Sequence, residues 1–265
     1  MKTRAIGCLF IAAAMLVACD QVYVNARWDP PLALLQDESA AGIYLGTFTD
    51  TSGANPLALP VTAIIDPDGN TQIIFALAVE RHVAGRVDVK GSRLTGTLTE
   101  FSGAFTSFTG ASGVGAFTVR GNVGTGTGIT GAYETETHAG TFVLDYQASY
   151  EELSSLEKAA GIWSFNMVSS GGAIYTVTWD IDDDGLLFGA DTLGCVFTGR
   201  VSVADRFVNA YRLAVQVDAC GYFNGDYAGQ AFLRSVAGQQ ANWLTLGIAN
   251  DVLAFATVLQ RQSRP

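Results

Sequence analysis

From residue 39 onward, apolar and polar side chains alternate over runs of five to nine residues, the period of a strand with one buried face. CVFTGRVSV (195–203) and YRLAVQVDA (211–219) carry the pattern most clearly. In the first run Phe197, Val201 and Val203 share one face, and Thr198, Arg200 and Ser202 the other. In the second, Leu213, Val215 and Val217 alternate with Arg212, Gln216 and Asp218. The connection ADRFVNA makes the two runs an antiparallel hairpin. Cys195 falls on the apolar parity of its strand, whereas Cys220 falls on the polar parity of its own. Either a bulge near Gly221 shifts the register, or Cys220 already lies beyond the strand.

The chain also resembles itself. Ala40-Ala41-Gly42-Ile43-Tyr44 is answered by Ala159-Ala160-Gly161-Ile162-Trp163, each after a short helical or turn segment. PVTAIIDPDGNTQIIFA (60–76) is answered by YTVTWDIDDDGLLFGAD, and ITGAYE (129–134) by FNGDYA (223–228). The order is the same in both halves, which predicts two homologous lobes of about 110 residues at 39–148 and 158–262, with a connector at 149–157. The connector is short, so the lobes are expected to touch. In the first lobe, strand-like segments begin at Gly42, Val61, Thr71, His82, Arg93, Gly115, Gly128 and Thr137. Eight antiparallel strands close into a small barrel that is filled by side chains or holds one small ligand; the alternative is a β-sandwich. The predicted class is therefore all-β, with two roughly eight-stranded lobes.

Gly161-Ile162-Trp163 on an opening strand, with Arg261 after the last, is similar to the G-x-W and late arginine that pack together at the closed end of lipocalins and other calycins. That likeness implies a calycin-like barrel. The first lobe has Tyr44 in place of tryptophan, and no arginine follows VLDYQ. The whole layout also looks like the two-lobed lipoproteins of Gram-negative bacteria and the lipidated barrel lobes of transferrin-binding proteins. Neither likeness implies a ligand.

The N-terminus gives the compartment. MKTR is basic, AIGCLFIAAAMLVA is an apolar run too short for a permanent membrane span, and both read as a signal peptide over residues 1–18. Leu16-Val17-Ala18-Cys19 resembles the lipobox of bacterial lipoproteins, which implies acylation of Cys19, a lipidated tether over 19–38 and anchoring in a lipid bilayer. The implied location is the cell envelope of a Gram-negative bacterium, facing the periplasm. Asp20 occupies the position of an inner-membrane retention aspartate in many enteric lipoproteins, a rule that varies among bacteria and leaves the membrane open. Losing Lys2 and Arg4 with the leader leaves 13 of 15 basic side chains against 25 acidic ones, a net charge near −12. Lys and Arg are nowhere concentrated, so no nucleic-acid partner is expected. With Cys8 removed and Cys19 acylated, Cys195 and Cys220 are left to form a disulfide in an oxidising space.

WDIDDDGLLFGAD (179–191) resembles a calcium loop: Asp180, Asp182, Asp184, Gly185 and Asp191 stand at relative positions 1, 3, 5, 6 and 12. The equivalent IIDPDGNT of the first lobe is ordinary turn chemistry, so a plain hairpin is the preferred reading and a bound Ca²⁺ the other. No other cofactor is expected.

Catalytic machinery is sparse. His82 and His138 lie in different strands without a nucleophile elbow or H-E-x-x-H, and both read as strand-surface residues. The glycines of GNVGTGTGITG (121–131) do not open a helix and so make no phosphate cradle. Trp28 falls in the tether, as a contact residue or packed under the first lobe. The expected function is a non-catalytic, membrane-anchored binding module for a small apolar ligand or an envelope protein. The alternatives are a periplasmic inhibitor or immunity protein acting on a toxin or cell-wall hydrolase and, a weaker reading, an envelope hydrolase.

Overall fold

The computed structural model describes residues 39–75, 81–102, 112–124, 126–168, 174–235 and 241–263. The signal peptide, Cys19 and Trp28 lie outside the described residues. The first lobe comprises β1 (Gly42–Asp50), β2 (Leu57–Ile65), β3 (Asn70–Phe75), β4 (Arg81–Lys90), β5 (Arg93–Ser102), β6 (Ser112–Gly124), β7 (Gly128–Glu134) and β8 (Ala139–Tyr146). The second comprises β9 (Gly161–Val168), β10 (Ile174–Ile181), β11 (Leu186–Asp191), β12 (Val196–Val203), β13 (Tyr211–Asp218), β14 (Gly225–Arg234), β15 (Trp243–Ala249) and β16 (Ala254–Gln262). Each set pairs in sequence order and closes on itself, so both lobes are antiparallel eight-stranded barrels, not sandwiches. β1 closes on β8 from Tyr44/Tyr146 to Asp50/Gly140. β9 closes on β16 over a shorter stretch, from Ser164/Gln260 to Ile162/Gln262. Of the predicted strand starts, Gly42, Arg93 and Gly128 coincide with observed ones.

The repeat is visible in the turns. Asp66 N–H donates to Asn70 O (2.9 Å) and Gly69 N–H to Asp66 O (2.9 Å); Asp182 N–H donates to Leu186 O (3.0 Å) and Gly185 N–H to Asp182 O (3.0 Å). Gly69 and Gly185 have φ of 84° and 78°, a region that favours glycine. One sequence match fails: ITGAYE lies on β7, the seventh strand of its barrel, but FNGDYA starts at Phe223, the last residue of a 3₁₀ turn (Gly221–Phe223), and enters β14, the sixth strand of its own. A glycine and tyrosine on a strand are too short a signature to fix order; the counterpart of β7 is β15.

Alternation puts the large apolar side chains inside. In the first barrel Phe48 is fully buried, with the rings of Phe75, Phe117, Tyr133 and Phe142 centred 5.5, 5.9, 5.2 and 5.0 Å from its own. The second is filled by Trp163, Trp179, Leu187, Leu213, Leu246 and their neighbours. The described residues between 39 and 263 belong to one compact unit, and the lobes pack against each other through outer faces. Ile43 and Ile64, opposite each other on β1 and β2, pack with Tyr150, Val208, Ala210 and Phe232. Ala84 and Phe101 pack with Ala249 and Ala254. Between the lobes runs a 3₁₀ turn (Ala148–Glu151) and one helical turn, α1 (Leu156–Ala159), capped by Ser155, whose hydroxyl accepts from Lys158 N–H at 3.3 Å. No helix among the described residues is long and apolar enough to cross a membrane.

Candidate functional site

The G-x-W…Arg constellation assembles where β9 pairs with β16 in the second barrel. β16 places Arg261 opposite Trp163 on β9, with the guanidinium 4.2 Å from the centre of the indole. Trp163 Nε1 donates to Ala159 O (2.8 Å), and Arg261 Nε to Ala241 O (2.9 Å), with its other nitrogens on the carbonyls of Ala160 and Lys158. In the first barrel Tyr44 OH donates to Ala40 O (2.8 Å), as Trp163 does to Ala159. Tyr146 stands opposite Tyr44 where Arg261 stands opposite Trp163, and the two tyrosine rings meet edge-on at 5.8 Å. An aromatic pair thus replaces the cation–π pair. Trp163, Arg261 and Tyr44 use their polar atoms on backbone carbonyls, whereas Tyr146 OH donates to Glu151 Oε1 (3.4 Å), and both clusters serve closure.

The acidic stretch does not gather its four carboxylates at one point. Asp182 Oδ1 accepts the N–H groups of Asp184 (3.0 Å) and Leu186 (2.7 Å), just as Asp66 Oδ1 accepts those of Asp68 and Asn70 (2.9 Å each). Asp180 is exposed on β10 and opposes Phe188. Asp191 closes the far end of β11, and the intervening strand, at about 3.3 Å per residue, separates it from the Asp182 turn by roughly 16 Å. There it starts a second turn of the same kind, accepting from Leu193 N–H (2.8 Å) and Cys195 N–H (2.9 Å), while its Oδ2 accepts from Tyr175 OH. Asp180, Asp182, Asp184 and Asp191 therefore do not converge. The EF-hand spacing arises from two Asp-x-x-Gly turns at opposite ends of one strand.

Among the described residues, the group of potential metal ligands that does converge is Asp191, Cys195 and Cys220, and its two sulfurs are joined to each other. The Cα atoms of this disulfide lie 4.6 Å apart. β13 ends at Asp218 and Ala219 turns with φ of 56°, so Cys220 has left its strand, which resolves the parity conflict without a bulge. The bridge ties the β11–β12 turn to the segment that carries the buried Phe223. Peptide mapping without reductant should recover Cys195 joined to Cys220. Reduction should remove about 3 kcal/mol and lower the melting temperature by several degrees; two free thiols in the oxidised protein would contradict this.

Of the two histidines read as strand-surface residues, His138 is partly exposed in the turn before β8, and His82 is buried. His138 Nδ1 contacts Asp50 Oδ2 (2.7 Å) and lies 3.4 Å from Ser52 Oγ, while Ser52 also donates to Asp50 Oδ1. The Ser52 hydroxyl, aided by its backbone N–H and by His138, holds the Asp50 carboxyl below the usual range. This looks like a hydrolytic triad but lacks its geometry: serine and carboxylate share one ring nitrogen, whereas a triad needs them on opposite nitrogens so that one proton can move. His82 is not on the surface. It is fully buried on the outer face of β4 beside Gln72, whose Oε1 meets its Nε2. A Cβ added to Gly247 of β15 would lie 2.6 Å from His82 Cε1, so the glycine is what lets the second lobe approach. Burial pushes the imidazole pKa down to about 3.

Beside His82 the junction of the lobes opens into a cleft of about 450 Å³. Asp66, Gln72 and Phe101 come from the first lobe, and Arg212, Gln230 and Asp251 from the second. Arg212 Nε donates to Asp66 Oδ2 (3.1 Å) and its Nη2 reaches Asp68, so an ion triad spans the junction. Gln230 Nε2 donates to Asn70 O (2.8 Å). None of these residues stood out in the sequence, because each outward-facing polar residue looks solvated until the partner lobe is in place. Comparison with known proteins gives no match, whether to a family model, a curated protein or a solved structure. What the fold and the cleft define is a tandem of closed eight-stranded barrels with a polar junction.

Proposed function

We propose that the protein is a non-catalytic lipoprotein of the Gram-negative cell envelope, anchored through an acylated Cys19 and facing the periplasm, that works by binding an envelope protein on its outer surface. The observation that carries this reading over an apolar ligand held in a barrel is the packing of the first interior, where four aromatic rings surround the fully buried Phe48. The anchor rests on Leu16-Val17-Ala18-Cys19 after a short apolar run. The surplus of 25 acidic over 15 basic side chains favours a basic partner. The same surplus also suits the second reading, an inhibitor or immunity protein that blocks a cationic toxin or cell-wall hydrolase.

Native mass spectrometry of the envelope-extracted protein tests the choice of ligand. The expected mass is that of the processed chain plus its acyl groups; a stoichiometric apolar molecule released on unfolding would favour a ligand barrel instead. Metabolic labelling with a clickable palmitate should mark the wild type and not Cys19→Ser, and a labelled Cys19→Ser protein would sink the anchor.

A further inference from the structure

We infer that the cleft between the lobes is a binding site for a cationic N–H donor group, a guanidinium or an alkylammonium. Gln230 is 2% exposed and lines the cleft. Its Nε2 donates to Asn70 O at 2.8 Å, which fixes the orientation of the amide and leaves Oε1 as the other terminal atom. That Oε1 is buried and has no partner. A buried acceptor left without a donor is costly, and at a cleft wall a bound group can supply the donor.

The charges around it select the donor. The Arg212 guanidinium is matched by two carboxylates, Asp66 and Asp68, so the triad carries no surplus positive charge. Asp251 lines the cleft and has no ion pair among the described residues. The cleft wall therefore holds an orphaned acceptor beneath its surface, and the lining carries uncompensated negative charge. Guanidinium and ammonium groups have donors only and bring the complementary charge. Ala84, Phe101, Leu213 and Ala249 provide apolar wall for the methylene stem of such a group. The volume is within the range of about 300–1,000 Å³ typical of small-ligand sites. On the protein-binding reading above, the group is an arginine or lysine side chain of the partner; a free polyamine offers the same chemistry.

The test uses the full chain and needs no partner. Agmatine, spermidine and the peptide acetyl-Gly-Arg-Gly-amide are titrated and followed by amide NMR and calorimetry, with trehalose as the neutral polyhydroxyl comparison. The cationic probes should shift the Gln230 side-chain amide and the backbone of Asn70 and Phe101. Gln230→Leu should weaken them at least tenfold and Asp251→Asn severalfold. Asp251→Asn is on an exposed turn and keeps the test meaningful if Gln230→Leu folds poorly. A peptide that binds more tightly than agmatine and spermidine assigns the group to a protein partner, and the reverse assigns it to a free polyamine. Absence of cation-induced shifts at these residues, equal binding by Gln230→Leu and wild type, or equal binding of trehalose would overturn the inference. Such a failure alongside a ligand-free native mass would leave protein binding standing and remove only this cleft from it.

Discussion

Replacing Phe48 by alanine is expected to destabilise the protein by about 3–5 kcal/mol, the range for removing a buried aromatic side chain without collapse of the space behind it. Phe48 is fully buried, and its ring stacks with that of Phe142 at an interplanar angle of 17°. The neighbouring strands cannot close the gap, because β1 is held on both edges, by β2 and by β8, and the barrel circumference is set by pairing. Urea denaturation of wild type and Phe48→Ala measures the loss. The same pair tests whether the interior is solid: the hydrophobic fluorophore N-phenyl-1-naphthylamine should bind Phe48→Ala and not the wild type. A loss below about 1 kcal/mol, or dye uptake by the wild type, would mean that the first barrel has room for a ligand and that the protein-surface reading is wrong.

Acidification is expected to weaken the protein through His82 by about 2 kcal/mol at pH 5. The imidazole is fully buried against the second lobe, and burial alone lowers its pKa from 6.5 to about 3. An unfolded or lobe-separated chain binds a proton at His82 near pH 6.5, whereas the folded protein does not until about pH 3. The stabilisation of the neutral ring is thus fully present above pH 6.5 and is lost as pH falls from 6.5 towards 3. Each pH unit inside that window removes about 1.4 kcal/mol. Denaturant midpoints at pH 7.5 and 5.0 for wild type and His82→Gln isolate the effect, because the carboxylates titrate in both proteins. The His82 ring signals should also stay constant in NMR spectra down to about pH 4.5. Parallel pH profiles for the two proteins, or a ring that titrates near pH 6.5, would show that the junction is open to water.

Much of this molecule was legible along the chain. Strand positions follow from alternation with period two, a local property that needs no knowledge of the partner strand. The turns at Asp66 and Asp182 follow from Asp and Gly at fixed offsets, because carboxylate-to-backbone bonds close within four residues. Cys195 and Cys220 were legible as a pair because they are the two cysteines of the second lobe, and the β12–β13 register brings them side by side. What the sequence could not settle are the relations between residues far apart in it. Asp50 and Ser52 meet His138 because β1 closes on β8, and Tyr146 takes the place of Arg261 by the same closure register. The aspartates of 180–191 look like one site in the sequence and are held apart by the length of β11.

The outer faces show the limit most clearly. Alternation identifies which side chains point out of a barrel but cannot distinguish water from another lobe as their surroundings. His82, Gln230, Ile43 and Ile64 all point outward, and all are buried. The sequence by itself determined two β lobes, their strands, their turns and their disulfide, because those depend on the backbone period and on contacts within a hairpin. The tertiary structure alone decided that two outward faces would meet, neutralising a histidine by desolvation and leaving a polar cleft at the seam, because burial is set by whatever packs on a face and not by the residues within it.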